Sequence, residues 1–177
     1  MERAAEYAAA KGGQLVKYNG TRKSIWKCRE GHQFLLTEYK VKRRGKWCST
    51  CGASNGEREI RRLLSQYNIP FIQQAVMSNL PGRKFDFYFQ YQGRAYLLEY
   101  DGEQHFEYVR KYHKTKQGFH EAQLIDKQKT YAGVQAGCYV IRIDYTQKDL
   151  IHHHIYAALQ LNYQIYLSTP SMYPFLY

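Results

Sequence analysis

Two pairs of soft metal ligands constrain the first third of this chain more than any other feature. Cys28 and His32 are separated by three residues, Cys48 and Cys51 by two, and fifteen residues lie between the pairs. Zinc takes four nitrogen or sulfur donors in a tetrahedron, and a pair spaced by two to four residues lets one tight turn supply two of them. Gly31 before His32 and Gly52 after Cys51 give such turns their backbone freedom. The stretch around them is poor in apolar residues. A structural zinc on Cys28, His32, Cys48 and Cys51 is therefore expected to hold it together, with roughly 10–16 kcal/mol available from metal binding. The fourth cysteine, Cys138, lies in the apolar run Cys138-Tyr139-Val140-Ile141 and reads as a core residue.

Charge divides the chain at about the same place. Residues 1–54 hold 12 Lys+Arg against 4 Asp+Glu, and residues 55–177 hold 14 against 11. Two modules are expected, 1–54 and 55–177, the first a basic zinc module. A formal net charge of +11 with 16% aromatic residues points to a polyanionic partner, nucleic acid above all. The basic run Lys40, Lys42, Arg43, Arg44 and Lys46 leads into the second knuckle, where it is expected to contact phosphate rather than read bases. A helix is expected from Glu2 to Lys11, then a break at Gly12-Gly13 and short strands at Ile25–Lys27 and Gln33–Leu36. Four cysteines are too few for a disulfide scaffold. No run approaches the roughly 18 apolar residues of a membrane span. The first residues carry two acids and no apolar segment, unlike a secretory signal. An intracellular protein of cytoplasm or nucleus, off the membrane and not secreted, is expected.

In the second module the acids decide the reading. Ile60, Leu63, Leu64 and Tyr67 recur at helical spacing after Asn55-Gly56-Glu57. Strands are expected at 70–76, 84–89, 95–102 and 138–143, with a turn at Leu80–Arg83 and a helix from Glu121 to Ala132 that Gly133 and Gly137 break. Asp86 lies inside an aromatic strand. Glu99 and Asp101, two apart, project from one face of an apolar strand. If these strands pair as a hairpin, three carboxylates converge near its open end. Such a cluster repels itself and persists when a divalent cation is shared. Gly102 can turn the chain so that His105 returns over the site. The loop 106–118 is rich in Lys and Tyr and is expected to be mobile or ordered by ligand. A helix is expected from Lys148 to Tyr163, and its consecutive His152, His153 and His154 point in different directions, which argues against a shared metal. The aromatic tail 167–177 has no functional reading. Together these elements describe an α/β (α+β) fold with a mixed sheet under helical cover.

Two resemblances follow from these motifs. Lys11-Gly12-Gly13, Trp26-Lys27-Cys28, Glu30-Gly31-His32-Gln33-Phe34 and Gly45-Lys46-Trp47-Cys48 with Cys51-Gly52 make residues 4–53 resemble a treble-clef-like zinc-ribbon family, often attached to nucleases. Ser49 stands where that family commonly has proline, and Phe34 where it commonly has tryptophan. Further on, Gly56-Glu57, Phe85-Asp86-Phe87, Leu98-Glu99-Tyr100-Asp101-Gly102 with His105-Phe106, Asp126 with Lys129 and Tyr131, and Ile141-Arg142-Ile143 with Tyr145 form an ordered set over residues 56–145. That set resembles the PD-(D/E)XK, or restriction-endonuclease-like, nucleases, in the branch of the very-short-patch repair endonuclease and its homing-endonuclease relatives.

The resemblance implies a magnesium- or manganese-dependent DNA endonuclease, or, as the alternative, a zinc-finger DNA-binding protein that kept the fold and lost cleavage. It implies Asp86, Glu99 and Asp101 as magnesium ligands and His105 as general base, with Lys129 the other candidate. Glu57 and Asp126 are implied as outer members of the site. This chain has Glu99-x-Asp101 where the superfamily expects Glu-x-Lys, so the usual lysine is displaced. One site per chain cuts both strands as a homodimer or in two visits.

Overall fold

The structure, a computed structural model, describes residues 2–78, 82–161 and 163–177. Leu80 and Pro81, where a turn is expected, lie outside the described residues. The chain forms two compact units, Met1–Ser54 and Asn55–Tyr177.

The first unit contains helix α1 (Glu2–Ala10), strands β1 (Gln14–Lys17), β2 (Ser24–Lys27) and β3 (Gln33–Leu36), and helix α2 (Glu38–Arg44). The strands make an antiparallel sheet in the order β1-β2-β3. Its core is small: Ala4, Ala8, Trp26 and Val41 are buried, with Leu15, Phe34, Leu36 and Trp47 packed around them. Trp26 anchors it, with Trp47 edge-on at 5.8 Å and the indole N–H donating to Leu36 O at 2.8 Å. So few buried side chains cannot offset the ordering entropy of about fifty residues. β1 and α2 are additions to the expected elements. The basic run folds as a helix because Thr37 caps its first turn, accepting from Lys40 N, while Gly45 ends it at φ 58°.

The second unit contains α3 (Asn55–Gln66), β4 (Phe71–Val76), β5 (Lys84–Tyr91), β6 (Arg94–Asp101), α4 (Arg110–His113), α5 (Lys116–Gln135), β7 (Tyr139–Asp144), α6 (Ile151–Gln160) and β8 (Ile165–Leu167). Its sheet runs β4-β5-β6-β7-β8; β4, β5 and β6 pair antiparallel, and β6, β7 and β8 pair parallel. The parallel step from β6 to β7 needs a crossover, which α5 supplies. One face packs Phe87, Phe89, Tyr96, Leu98, Ile141 and Ile143 against Ile60, Leu63 and Leu64 of α3 and Ile151, Ile155 and Ala158 of α6. On the other, Phe85, Leu97, Cys138 and Val140 pack with Val134 of α5. The architecture is mixed α/β, with an antiparallel sheet in the first unit and a mixed sheet in the second.

Gly133 does not end α5, contrary to expectation. A Cβ there would stand 2.8 Å from Leu97 Cδ1 and 3.0 Å from Val140 Cγ2, so glycine lets the helix run close over the sheet. The segment 106–118 is also ordered, with α4 inside it.

Candidate functional site

The four ligands of the first unit meet. Cys28 and His32 flank the β2–β3 turn, which closes through Cys28 N–H to His32 O at 3.0 Å and Gly31 N–H to Cys28 O at 3.0 Å. Gly31 sits at φ 82°. Cys48 and Cys51 form the second knuckle, with Cys51 N–H donating to Cys48 Sγ at 3.4 Å. Cys28 Sγ stands 3.4 Å from His32 Nδ1 and 3.6 Å from Cys51 Sγ, and His32 Nδ1 stands 3.4 Å from Cys51 Sγ. All four donor atoms lie within 4.8 Å of one another. Metal bonds of about 2.3 Å to sulfur and 2.0–2.1 Å to nitrogen put tetrahedral donors about 3.5–3.8 Å apart, so the set fits zinc. Burial, together with the neighbouring Cys28 and Cys48, pushes the Cys51 thiol up to about 12; a dication removes that penalty by neutralising the thiolates. Gly13 lies over the first knuckle. A Cβ there would come 2.7 Å from Trp47 Cζ2 and 3.2 Å from Cys28 Cα, which accounts for Gly13, while Gly12 sits at φ 68°.

Around the carboxylates of the second unit, β5 breaks its alternation at Asp86. Phe87 packs on the α3 face and Phe85, two residues earlier, on the α5 face. Opposite Asp86, Gln74 of β4 takes φ 54°, a left-handed conformation that costs a non-glycine residue of order 1–3 kcal/mol. The half-buried Asp86 accepts from Tyr100 N at 2.9 Å and from Gln74 Nε2 at 3.3 Å. Burial raises its carboxyl to about 6, the charges of Glu57 and Asp101 adding to that effect.

Glu99 is buried on the adjacent strand. Lys129 Nζ forms an ion pair with Glu99 Oε1 at 2.6 Å, and no hydrogen bond from any other described group reaches that oxygen. Burial pushes Glu99 up to about 8, with Asp86 adding repulsion and Lys129 offsetting only part of it. The carboxyl stays raised despite the close ammonium because desolvation is the largest of these effects.

Asp101 is placed differently from the expectation of a magnesium ligand. It is fully buried, and both its oxygens are engaged. Arg142 of β7 donates to it in bidentate fashion, Nε to Oδ2 at 2.8 Å and Nη2 to Oδ1 at 2.6 Å, and Tyr173 OH donates to Oδ2 at 3.0 Å. Arg142 also donates to Thr130 Oγ1 at 2.9 Å and stands 3.4 Å from Asp126 Oδ1. His105 Nδ1 lies 2.6 Å from Asp126 Oδ2 and 3.7 Å from Asp101 Oδ1. Burial favours neutral His105, but the bond to Asp126 and the charge of Asp101 outweigh it and hold the imidazole above its usual value.

The second unit thus separates two groups that sequence spacing puts together. Asp86 and Glu99, with Glu57 and Lys129 electrostatically close, are one group. Asp101, Arg142, Asp126, His105 and Tyr173 form a saturated buried network beside it. Among the described residues, Cys28, His32, Cys48 and Cys51 are the one set of three or more His, Cys, Asp or Glu donors close enough to hold a metal. Arg142 and Tyr173 were not singled out as site residues in the sequence. The signal for Arg142 is an arginine inside Val140-Ile141-Arg142-Ile143, a charge that a buried strand keeps when it is paired. Tyr173 carries no such signal, because its partner lies 72 residues away.

Lys40, Lys42, Arg43, Arg44 and Lys46 are exposed on and just after α2, while Val41 alone of that helix is buried. Lys42 lies over the Tyr7 ring at 5.2 Å and Arg44 over Tyr39 at 5.9 Å. His154 is bonded to Tyr166 OH and Gln147 Oε1, a structural use that leaves His152 and His153 outside any shared metal set. No helix among the described residues is long and apolar enough to cross a membrane. Comparison with protein-family models, curated proteins and solved structures finds no match.

Proposed function

We propose that the chain is a metal-dependent DNA endonuclease with a restriction-endonuclease-like second module of the PD-(D/E)XK kind, and that its zinc module helps grip the duplex. The observation that carries this reading is Glu99: a carboxylate buried on a central strand, one oxygen met only by the ammonium of Lys129 at 2.6 Å, beside the half-buried Asp86. Hard carboxylate oxygens suit magnesium or manganese. Asp86 and Glu99 would hold the ion, with Glu57 as an outer member, while Asp101 is occupied in holding Arg142. When bound, the ion supplies charge neutralisation on the phosphate and a more acidic water.

The remaining chemistry belongs to side chains. Asp126 holds His105 through Nδ1, which directs Nε2 outward as the atom that takes a proton from water. Lys129, close to Glu99, fills the role of the lysine displaced from its usual strand position and offers positive charge to a phosphate oxygen. A second reading, a DNA-binding protein without cleavage, is favoured by the lack of a ready three-carboxylate cluster among the described residues.

Nicking of supercoiled plasmid by purified protein with magnesium or manganese separates the two. Asp86→Ala should abolish cleavage and leave DNA binding intact or tighter. His105→Ala should slow cleavage by on the order of 10²–10⁴. Cleavage by Asp86→Ala at the parental rate refutes the site.

A further inference from the structure

We infer that residues 106–120 form a pre-built cationic arm that seats the phosphate backbone of duplex DNA next to the carboxylate site, an inference that rests on the nuclease reading above. Four cations, Arg110, Lys111, Lys114 and Lys116, are exposed here within seven residues, and no acid occurs from residue 108 to residue 120. Among the described residues none of the four takes part in an ion pair, and Lys111 lies over its neighbour Tyr112 at 5.5 Å. Like charges at this density repel unless a polyanion covers them.

A solvated charge run would need no internal scaffold, yet this one has several parts. Val109 N–H donates to His113 Nδ1 at 3.0 Å, and Tyr108 OH donates to Lys114 O at 3.0 Å. Thr115 Oγ1 accepts from Gly118 N at 3.0 Å and caps α5. The His113 ring packs edge-on against Phe119 at 5.0 Å. Gly118 presses against the carbonyl of His113, where any Cβ would collide. Lys114 is held at φ 63° and ψ −48°, the centre of a three-residue turn closed by Thr115 N–H to His113 O at 2.7 Å, a strained conformation costing a lysine of order 1–3 kcal/mol. A cation kept at a strained position by flanking bonds is presented, not merely dissolved.

Placement selects the partner. The arm begins just after the turn Glu103–His105 and ends in α5, the helix bearing Asp126 and Lys129. A backbone bound by the arm is therefore registered against His105 and Lys129 by a short, ordered connection on each side. Phosphate contacts of this kind position a duplex without reading its sequence.

The test measures binding of the full chain to a mixed-sequence duplex by fluorescence anisotropy across a salt series. Lys111→Gln with Lys114→Gln removes two charges and keeps the length of both side chains close to the parent. The slope of log affinity against log salt should fall by about 1.8, equivalent to about 60-fold weaker binding at 0.1 M salt if both proteins converge at 1 M. Arg110→Gln with Lys116→Gln, which leaves the strained position alone, should give the same drop and covers the case in which the first pair fails to fold. An unchanged slope in a folded variant, with metal-dependent nicking retained, overturns the arm and leaves the nuclease reading standing. A parent chain that shows no salt-dependent duplex binding overturns both.

Discussion

Gly56 offers the sharpest test of how the second module is assembled, because two ordinary effects predict opposite signs there. It lies in the first turn of α3, and replacing a helical glycine with alanine gains up to about 1 kcal/mol from backbone entropy. In this structure, however, a Cβ on Gly56 would lie closer than 3.0 Å to Cζ, Cε1 and Cε2 of Tyr100. Ordinary carbon contact needs about 3.5–4.0 Å, so the gap must open by at least about 0.5 Å. Neither side yields easily. Ile60, Leu63 and Leu64 fix α3 in the core at 4% exposure or less, and Tyr100 belongs to the central strand β6. Overpacking of this kind costs about 1–3 kcal/mol, which exceeds the propensity gain. The net cost is then up to about 2 kcal/mol, so Gly56→Ala should lower the melting temperature of the second module by up to about 8 °C, taking roughly 4 °C per kcal/mol for its size. In a Tyr100→Ala background the same substitution should be neutral or stabilising, and calorimetry of the four proteins gives the coupling directly. Stabilisation by Gly56→Ala in the parent chain, or an equal loss in both backgrounds, refutes the close-packing argument.

Metal analysis of freshly purified protein should find about one zinc per chain, and Cys48→Ala should unfold the first unit while the second keeps its melting transition; clearly less than one zinc counts against the site. His105 gives a pH test. Its folded value is raised, so its contribution is fully present below its unfolded value near 6.5 and is lost as pH rises through the folded one. His105→Gln should thus destabilise more at about pH 5.5 than at about pH 9, measured by urea midpoints. Glu99 and Asp86 titrate in the same window but are common to both proteins, so they cancel in the difference. A pH-independent difference refutes the ion pair with Asp126.

What the sequence revealed was what local spacing controls. Four clustered metal donors on two knuckles follow from ligand spacing, and Glu99 and Asp101 on one face of a strand and Ile60, Leu63 and Leu64 on one face of a helix follow from periodicities of two and 3.6. Long-range choices were hidden. Equal spacing on β6 cannot say that Asp101 closes on Arg142 while Glu99 pairs with Lys129: Arg142 lies beside Glu99 in the β6–β7 register, yet its guanidinium reaches along the strand to Asp101. Glycine was ambiguous for a similar reason: Gly133 reads as a helix breaker until Leu97 and Val140 are known to lie against it. The helix α4 within 106–118 leaves no trace in the sequence, which reads there as a mobile or ligand-ordered loop, because it rests on side chains bonding to backbone, His113 to Val109 and Tyr108 to Lys114, which periodicity does not record.

The hydroxyl of Tyr173 on Asp101 has a consequence for the timing of synthesis. Asp101 leaves the ribosome well before either of its partners: Arg142 follows 41 residues later and Tyr173 72 residues later. At about 5–20 residues per second the second interval is roughly 4–14 s. Through that time a nascent chain already carries all four donors of the Cys28–His32–Cys48–Cys51 cluster and the helix α2, while the acid beside His105 still lacks its last donor. The order of emergence completes the first unit ahead of the network around His105 during every round of translation.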